Sequence, residues 1–171
     1  MTNHDDANDH WQTTSARLWR TLTPEERSTA AAELVKDQSA LVRASVIAVV
    51  AEARKMRPVA ARKLPPDAQA RVIATVRDPG EILASSLLVA LHLGPRRPML
   101  VAFLDAVGLP HEDGLLKDES TEAISEDLLK KGCAAVASEP AATVRTYLNT
   151  LWLQDPERWA NARGLLFDAQ P

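Results

Sequence analysis

The sequence is poor in the residues on which several kinds of function depend. Cys133 is the only cysteine, which excludes an internal disulfide and a cysteine-based zinc site within one chain. The six glycines are all isolated, so there is no glycine-rich phosphate loop, and the Gly-x-Ser-x-Gly elbow of serine hydrolases is absent. Aromatic residues make up only 4% of the chain, and no segment alternates apolar and polar residues for long. The pattern therefore gives little support for β-strands.

Long hydrophobic runs are also missing. A membrane-spanning helix needs about 18–20 consecutive apolar residues, and the run Val46–Ala51 is far shorter. The stretch Met1–Asp9 is polar and acidic, and no apolar segment follows it, which is not typical of a secretory signal. We therefore expect a soluble, cytoplasmic protein.

Helix-forming Ala and Leu dominate the apolar residues, and clear helix starts divide the chain. Thr23-Pro24 followed by Glu26 predicts a capping box. Asp78-Pro79 predicts a cap of the same kind, while Ser39 and Ser120 are predicted caps of two further helices. Together with Gly94 and Gly108 as stops, these signals predict an all-α fold, a helical-hairpin bundle of about eight helices.

Two predicted helices, Leu41–Ala51 and Ile82–Leu93, are apolar on nearly all sides, so we expect both in the middle of the bundle. The four tryptophans fall in the terminal helices, where burial against the core is the simplest expectation and an aromatic docking surface is the alternative. They are Trp11, Trp19, Trp152 and Trp159.

The domain organisation follows from the same pattern. We predict a disordered tail over residues 1–9 and a single all-α domain over 10–168, with possible sub-units 10–110 and 115–168 joined by the loop 109–114. The segment that begins at Leu22 resembles the one that begins at Leu64, 42 residues later. A period near 40 made of helix pairs is typical of HEAT or armadillo solenoids. Such stacking and a compact irregular bundle therefore both remain open.

The most unusual polar cluster surrounds the predicted helix that starts near Pro98. His92, Asp105 and His111 are the candidate catalytic residues for metal-dependent or acid–base chemistry, because imidazoles and carboxylates are the groups that such chemistry uses. Four charged neighbours are candidate binding residues: Arg96, Arg97, Glu112 and Asp113. No spacing places two ligands on one helix face, and the arginine pair would repel a cation, so we predict no metal and no cofactor. The alternative is structural: His92 at a helix end and an arginine paired with Asp105.

A second feature is basic. The segment 54–97 holds nine basic and three acidic residues, a net charge of +6, whereas 111–171 carries a net charge of −5. The densest part provides five candidate binding residues: Arg54, Lys55, Arg57, Arg62 and Lys63. Such a segment suits phosphate contacts with nucleic acid, but no aromatic residues interleave with it to stack bases. Docking onto the acidic face of a protein partner, or of a second copy of the chain, is the other interpretation.

These observations favour a non-enzymatic protein-interaction or adaptor module, because no catalytic constellation stands out. The expected partner is another protein or a second copy of this chain. The first alternative is a nucleic-acid-associated helical protein that uses the basic 54–97 segment. The second is a metal-dependent or acid–base enzyme centred on the polar cluster 92–113.

Overall fold

Ten α-helices and one short hairpin make up the part of the chain that the computed structural model describes, residues 13–37, 39–117 and 120–167. Strands β1 (His111–Glu112) and β2 (Leu115–Leu116) pair antiparallel. The predicted all-α class is confirmed, while the predicted tail 1–9 and Trp11 lie outside the described residues. The helices are α1 (Ser15–Thr21), α2 (Pro24–Leu34), α3 (Ala40–Ala53), α4 (Pro58–Arg62), α5 (Pro66–Thr75), α6 (Glu81–Leu93), α7 (Arg97–Val107), α8 (Glu126–Ala135), α9 (Ala141–Gln154) and α10 (Ala162–Phe167).

Capping side chains fix the starts of α2 and α3. Thr23 Oγ1 accepts a hydrogen bond from the Glu26 amide at 3.2 Å, and Glu26 Oε2 accepts one from the Thr23 amide at 2.8 Å. This is the predicted capping box. Ser39 caps α3, also as predicted, by accepting a bond from the Val42 amide at 3.3 Å.

Two other predicted caps are wrong. Gly80, with a φ of 80°, occupies the cap position of α6, and the Asp78 carboxylate instead accepts a bond from the Gly80 amide at 3.2 Å. Ser125 caps α8 in place of Ser120, so that helix starts later than expected. In both cases the turn before the helix is longer than the local sequence suggested.

The start of α1 is held by a residue far along the chain. The two carboxylate oxygens of Glu81 accept hydrogen bonds from the amides of Ser15 at 2.7 Å and Ala16 at 3.1 Å. Partial burial would raise the pKa of Glu81, but the two amides outweigh it and hold that pKa below its ordinary value. The first residue of α6 thus joins the two helices electrostatically.

Buried side chains form two clusters, which divide between Leu91 and Met99. The first is built from α1 to α6 and includes Trp19, whose indole Nε1 donates to the carbonyl of Val76 at 2.8 Å. The second is built mainly from α7 to α10 and includes Trp159. The turn between α6 and α7 therefore links the two cores. The predicted sub-unit boundary at 109–114 stays a prediction.

The two apolar helices have different positions. α6 buries six of its residues and contacts α1, α2, α3, α7 and α9, so it is the central helix that the sequence predicts. The expectation for α3 is wrong, because it buries only Val46, Val50 and Ala51 and leaves Leu41 69% exposed. Tertiary packing explains why α3 is more exposed than α6, because nothing among the described residues covers the outer side of α3.

The helix pairs α2–α3 and α5–α6 correspond to the two similar segments of the sequence. They pack against each other, with α2 contacting both α5 and α6. Their second helices are buried to different extents, so the pairs are not equivalent. Repeat-like stacking stays a prediction.

Helices α7 and α8 approach closely at Gly132. A Cβ atom at this position would lie 2.6 Å from Cε2 of Phe103 and 2.8 Å from Cγ2 of Val107. The Phe103 ring is fully buried and meets Tyr147 edge to face, with 5.2 Å between ring centroids. Only a glycine therefore fits without a shift of this aromatic cluster.

No single helix in the described ranges combines the length and apolar character of a membrane span. Helices α6 and α7 together pass on length and composition, but the pair is bent by 82° at the break between them. Their apolar residues take part in the two core clusters.

Candidate functional site

The basic residues predicted from the sequence follow the end of α3 and flank α4, which packs against α3. Lys55 has a left-handed backbone with a φ of 50°, which turns the chain between these helices. All five side chains are exposed, and none has an ion-pair partner among the described residues. We call this set the basic surface: Arg54, Lys55, Arg57, Arg62 and Lys63.

Exposed apolar side chains lie on α3 and α4. Leu41 on α3 is 69% exposed and Val59 on α4 is 66% exposed. A groove of about 170 Å³ also opens between α3, the end of α2 and the start of α5. Its apolar wall includes Val46 and Leu64, and the basic side chains of Arg43 and Arg62 contribute to its lining, together with Asp37. This part of the molecule therefore combines unpaired positive charge with accessible apolar area.

The neighbouring arginines Arg96 and Arg97 have their charges engaged elsewhere. Arg96 forms an ion pair with Glu26, and its side chain is only 11% exposed. Burial lowers the pKa of Arg96 and the carboxylate of Glu26 opposes that shift. Arg97 Nε donates to the carbonyl of Leu93 at 2.6 Å, so it caps the end of α6. Both arginines thus have structural partners, although both were predicted as binding residues.

The two predicted acidic binding residues lie in the hairpin, Glu112 in β1 and Asp113 in the turn, and both are exposed. Glu112 Oε2 lies 3.2 Å from Nζ of Lys117, and Asp113 Oδ2 lies 3.9 Å from the guanidinium of Arg97. Asp113 also takes a left-handed backbone with a φ of 49°, as a tight turn requires. These contacts give the two acids a role in shaping the hairpin.

Two of the three candidate catalytic residues meet. Nε2 of His111 lies 3.1 Å from Oδ1 of Asp105, and Nδ1 of His111 accepts a hydrogen bond from the Gly114 amide at 3.2 Å. Gly114 has a φ of 91°, and a Cβ there would lie 2.5 Å from a methyl group of Leu100. The Asp105–His111 pair therefore fastens the hairpin tightly onto α7.

His92 points to a different partner. Its side chain is 3% exposed, and Nε2 lies 3.2 Å from Oγ1 of Thr150 on α9. The Thr150 hydroxyl donates its own hydrogen to the carbonyl of Thr146 at 2.8 Å, so Nε2 must carry the proton of the ring. Burial, reinforced by the charge of Arg96, lowers the pKa of His92 to about 3. The imidazole is therefore neutral, and Nδ1 presents a bare lone pair.

A cavity of about 360 Å³ lies beside this histidine. Leucines from α6, α7, the hairpin and α9 form most of its wall, and His92 and Tyr147 form part of it. The Tyr147 hydroxyl and His92 Nδ1 are both buried without a hydrogen-bond partner among the described residues. The rings of these two residues are tilted neighbours with centroids 5.1 Å apart.

Comparison of the chain with models of protein families, with curated proteins and with solved structures found no match in any of the three. Two features of the described residues therefore carry the functional argument. One is the basic surface with its apolar neighbours. The other is the cavity beside His92, whose hairpin wall is held by Asp105 and His111.

In the described ranges, no three His, Cys, Asp or Glu side chains are grouped so that they could hold a metal ion. Asp105 and His111 do not line the cavity that His92 lines, so the three candidate catalytic residues do not share it. Sequence reasoning missed Tyr147 and Thr150 as partners of His92. Their helical spacing on α9 shows that they share a face, but only the packing of α6 against α9 shows what that face meets.

Proposed function

We propose that this chain is a non-enzymatic protein-interaction module that binds an acidic amphipathic segment of a partner protein. The observation that carries the proposal is the set of five exposed cations without ion-pair partners on and around α4, together with the exposed side chain of Val59 on that helix and the groove that Arg62 lines. The single cysteine is compatible with a reducing, cytoplasmic setting, which is part of the proposal.

Charge complementarity indicates which charge the partner segment carries. Unpaired cations on one surface raise the local concentration of an acidic partner and speed its association. Because the cations of the basic surface form no ion pairs in the described residues, a partner's carboxylates do not have to displace existing ones. The partner segment should therefore be rich in Asp or Glu.

The groove indicates that the partner segment also carries a large apolar side chain. A cavity of about 150 Å³ holds one benzene molecule, so the groove of about 170 Å³ between α2, α3 and α5 has room for one large apolar side chain. Arg43 and Arg62 in its lining would place cations beside that side chain. A helix with Leu on one face and Glu on the neighbouring face meets both requirements.

Nucleic acid is the competing partner. Phosphates would satisfy the cations, but a single strand also needs aromatic side chains for base stacking, and the segment 39–64 contains none. Exposed Leu41 and Val59 give a phosphate backbone nothing to bind, whereas they would be buried in a protein interface. The apolar component therefore favours a protein.

The test is a fluorescence anisotropy titration of the full chain against a labelled synthetic peptide of about 18 residues, five helical turns, with Glu on one face and Leu on the other. A second peptide has the same composition in scrambled order. We expect saturable binding of the first peptide and much weaker binding of the second. Binding should weaken as NaCl rises from about 50 to about 500 mM because the exposed charges are screened.

Matched charge reversals locate the site. Reversal at Arg54→Glu and Arg57→Glu changes attraction into repulsion at two exposed positions. At about 0.5–1 kcal/mol each, the affinity should fall about five- to thirtyfold. The control is Arg71→Glu with Arg77→Glu, two exposed cations outside the basic surface, which should leave the affinity nearly unchanged.

Three results would contradict the proposal. Equal binding of the scrambled peptide would show that charge alone acts. Tighter binding of a mixed-sequence oligonucleotide than of the peptide would favour the nucleic-acid alternative. Concentration-dependent dimerisation that the Arg54 and Arg57 reversals abolish, without peptide binding, would identify a second copy of the chain as the partner.

A further inference from the structure

The cavity beside His92 is a second candidate site, independent of the basic surface. It lies where α6, α7, the hairpin and α9 meet, and leucine side chains such as Leu93, Leu104 and Leu151 form much of its wall. Its volume of about 360 Å³ is more than twice the roughly 150 Å³ of an apolar cavity that binds benzene. A molecule of about two fused rings fits this space.

Two polar atoms in residues that line the cavity are unusual because they are buried and have no partner among the described residues. Buried polar atoms in folded proteins nearly always have a hydrogen-bond partner. Here, within the described residues, His92 Nδ1 and the hydroxyl of Tyr147 have none, although Tyr147 is only 1% exposed. Since Nε2 of His92 is committed to Thr150, Nδ1 can only accept, whereas the tyrosine hydroxyl can donate or accept.

The wall carries no net charge that would select an ion. The imidazole of His92 is neutral, and burial keeps the phenol of Tyr147 neutral by raising its pKa. Arg158 and Asp155, which also line the cavity, are of opposite sign, and the Arg158 amide donates to Asp155 Oδ1 at 3.0 Å. A ligand with a formal charge would therefore lose its hydration in a cavity whose two charged side chains cancel each other.

We propose that this cavity binds a small, uncharged, largely apolar molecule that carries a hydrogen-bond donor, such as a hydroxyl group, for His92 Nδ1. The hydroxyl of Tyr147 supplies a second polar contact. Asp105 and His111 are positioning residues for this site, because their pair holds the hairpin that forms one wall. The site does not depend on the proposed protein-binding function.

Calorimetric titration of the full chain with three matched probes tests the ligand class. The probes are 2-naphthol, naphthalene without the hydroxyl group, and 2-naphthoate with a negative charge. We expect 2-naphthol to bind saturably and naphthalene to bind about three- to tenfold more weakly, since one net hydrogen bond is lost. 2-Naphthoate should bind more weakly still.

Variants assign the preference to the two polar atoms. Tyr147→Phe and His92→Phe should each reduce the ratio of 2-naphthol to naphthalene affinity, with His92→Phe bringing it close to one. This ratio does not respond to a general loss of stability. The control is Thr146→Val, which removes a buried hydroxyl from the same helix outside the cavity and should leave the ratio unchanged.

Nitrogen NMR of the unmodified chain gives a readout that needs no variant. The His92 ring should show protonated Nε2 and unprotonated Nδ1 at neutral pH, and only the Nδ1 resonance should shift strongly when 2-naphthol is added. Equal affinities of 2-naphthol and naphthalene, tighter binding of 2-naphthoate, or the absence of binding of all three probes would each overturn the proposal.

Discussion

Replacement of Arg96 by Met tests how much its mostly buried ion pair stabilises the fold, compared with the exposed contacts of the adjacent Arg97. The Arg96 side chain is 11% exposed and pairs with Glu26, which is 29% exposed and also caps α2. Breaking a fully buried ion pair costs about 3–5 kcal/mol, but the carboxylate left behind here is partly open to water. A loss of one charge-assisted hydrogen bond, about 1.5–3 kcal/mol, is the better guide.

We therefore expect Arg96→Met to lower the free energy of unfolding by about 2 kcal/mol, or the Tm by about 4–8 °C for a chain of this length. Arg97→Met is the matched control: Arg97 is exposed, so its cost should stay within about 0.5 kcal/mol. Urea unfolding followed by circular dichroism measures both. Equal losses for the two variants, or a loss below about 0.5 kcal/mol for Arg96→Met, would refute the assignment.

Three further predictions follow from the packing and the caps. Glu81→Gln should reduce stability at neutral pH but not in acid. The lowered pKa of Glu81 makes its contribution full above the ordinary carboxyl range, and it is lost as pH falls from about 5 to about 3; a constant difference in unfolding free energy across that range would contradict this. Gly132→Ala should destabilise the fold by about 1–2 kcal/mol, because overpacking against buried Phe103 costs up to about 3 kcal/mol and exceeds a helix-propensity gain of about 1 kcal/mol. A Tm at or above that of the unmodified chain would show that α7 and α8 separate easily. Tyr147→Phe should leave the Tm of the ligand-free chain unchanged or raise it, since the hydroxyl has no partner among the described residues; a clear loss of Tm would mean that the hydroxyl is bonded.

The sequence predicted what depends on neighbours within a few residues. The capping box of Thr23 and Glu26 and the cap by Ser39 are both present, because each is a contact across three positions. The apolar helix Ile82–Leu93 is central as expected, and the all-α class follows from the same periodicity. Asp78 failed as a cap because Gly80 takes that position instead.

Long-range contacts decide what the sequence could not show. Glu26 and Arg96 are 70 positions apart, and His92 and Thr150 are 58 apart. Hydrophobic periodicity predicts that a side chain faces inward, but it does not identify the residue that this side chain contacts. For this reason the sequence left open whether the cluster 92–113 converges, and the fold pairs Asp105 with His111 and turns His92 toward α9.

The exposure of α3 has the same origin. Its sequence is apolar on nearly all sides, and local patterning alone places such a helix in a core. The fold leaves one side of it uncovered and sets the cations of the basic surface at its end. The exposed apolar side of α3 and the cations at its end are the basis of the proposed interaction, and hydrophobic periodicity does not predict them together.

The most direct test of the proposed function is a map of backbone amide NMR shifts during titration of the full chain with the acidic amphipathic peptide. Binding at the proposed site predicts the largest shifts within residues 41–64, spread over α3, α4 and the groove between α2 and α5. Saturating shifts that fall on α8 and α9 instead, with residues 41–64 unmoved, would contradict the central claim.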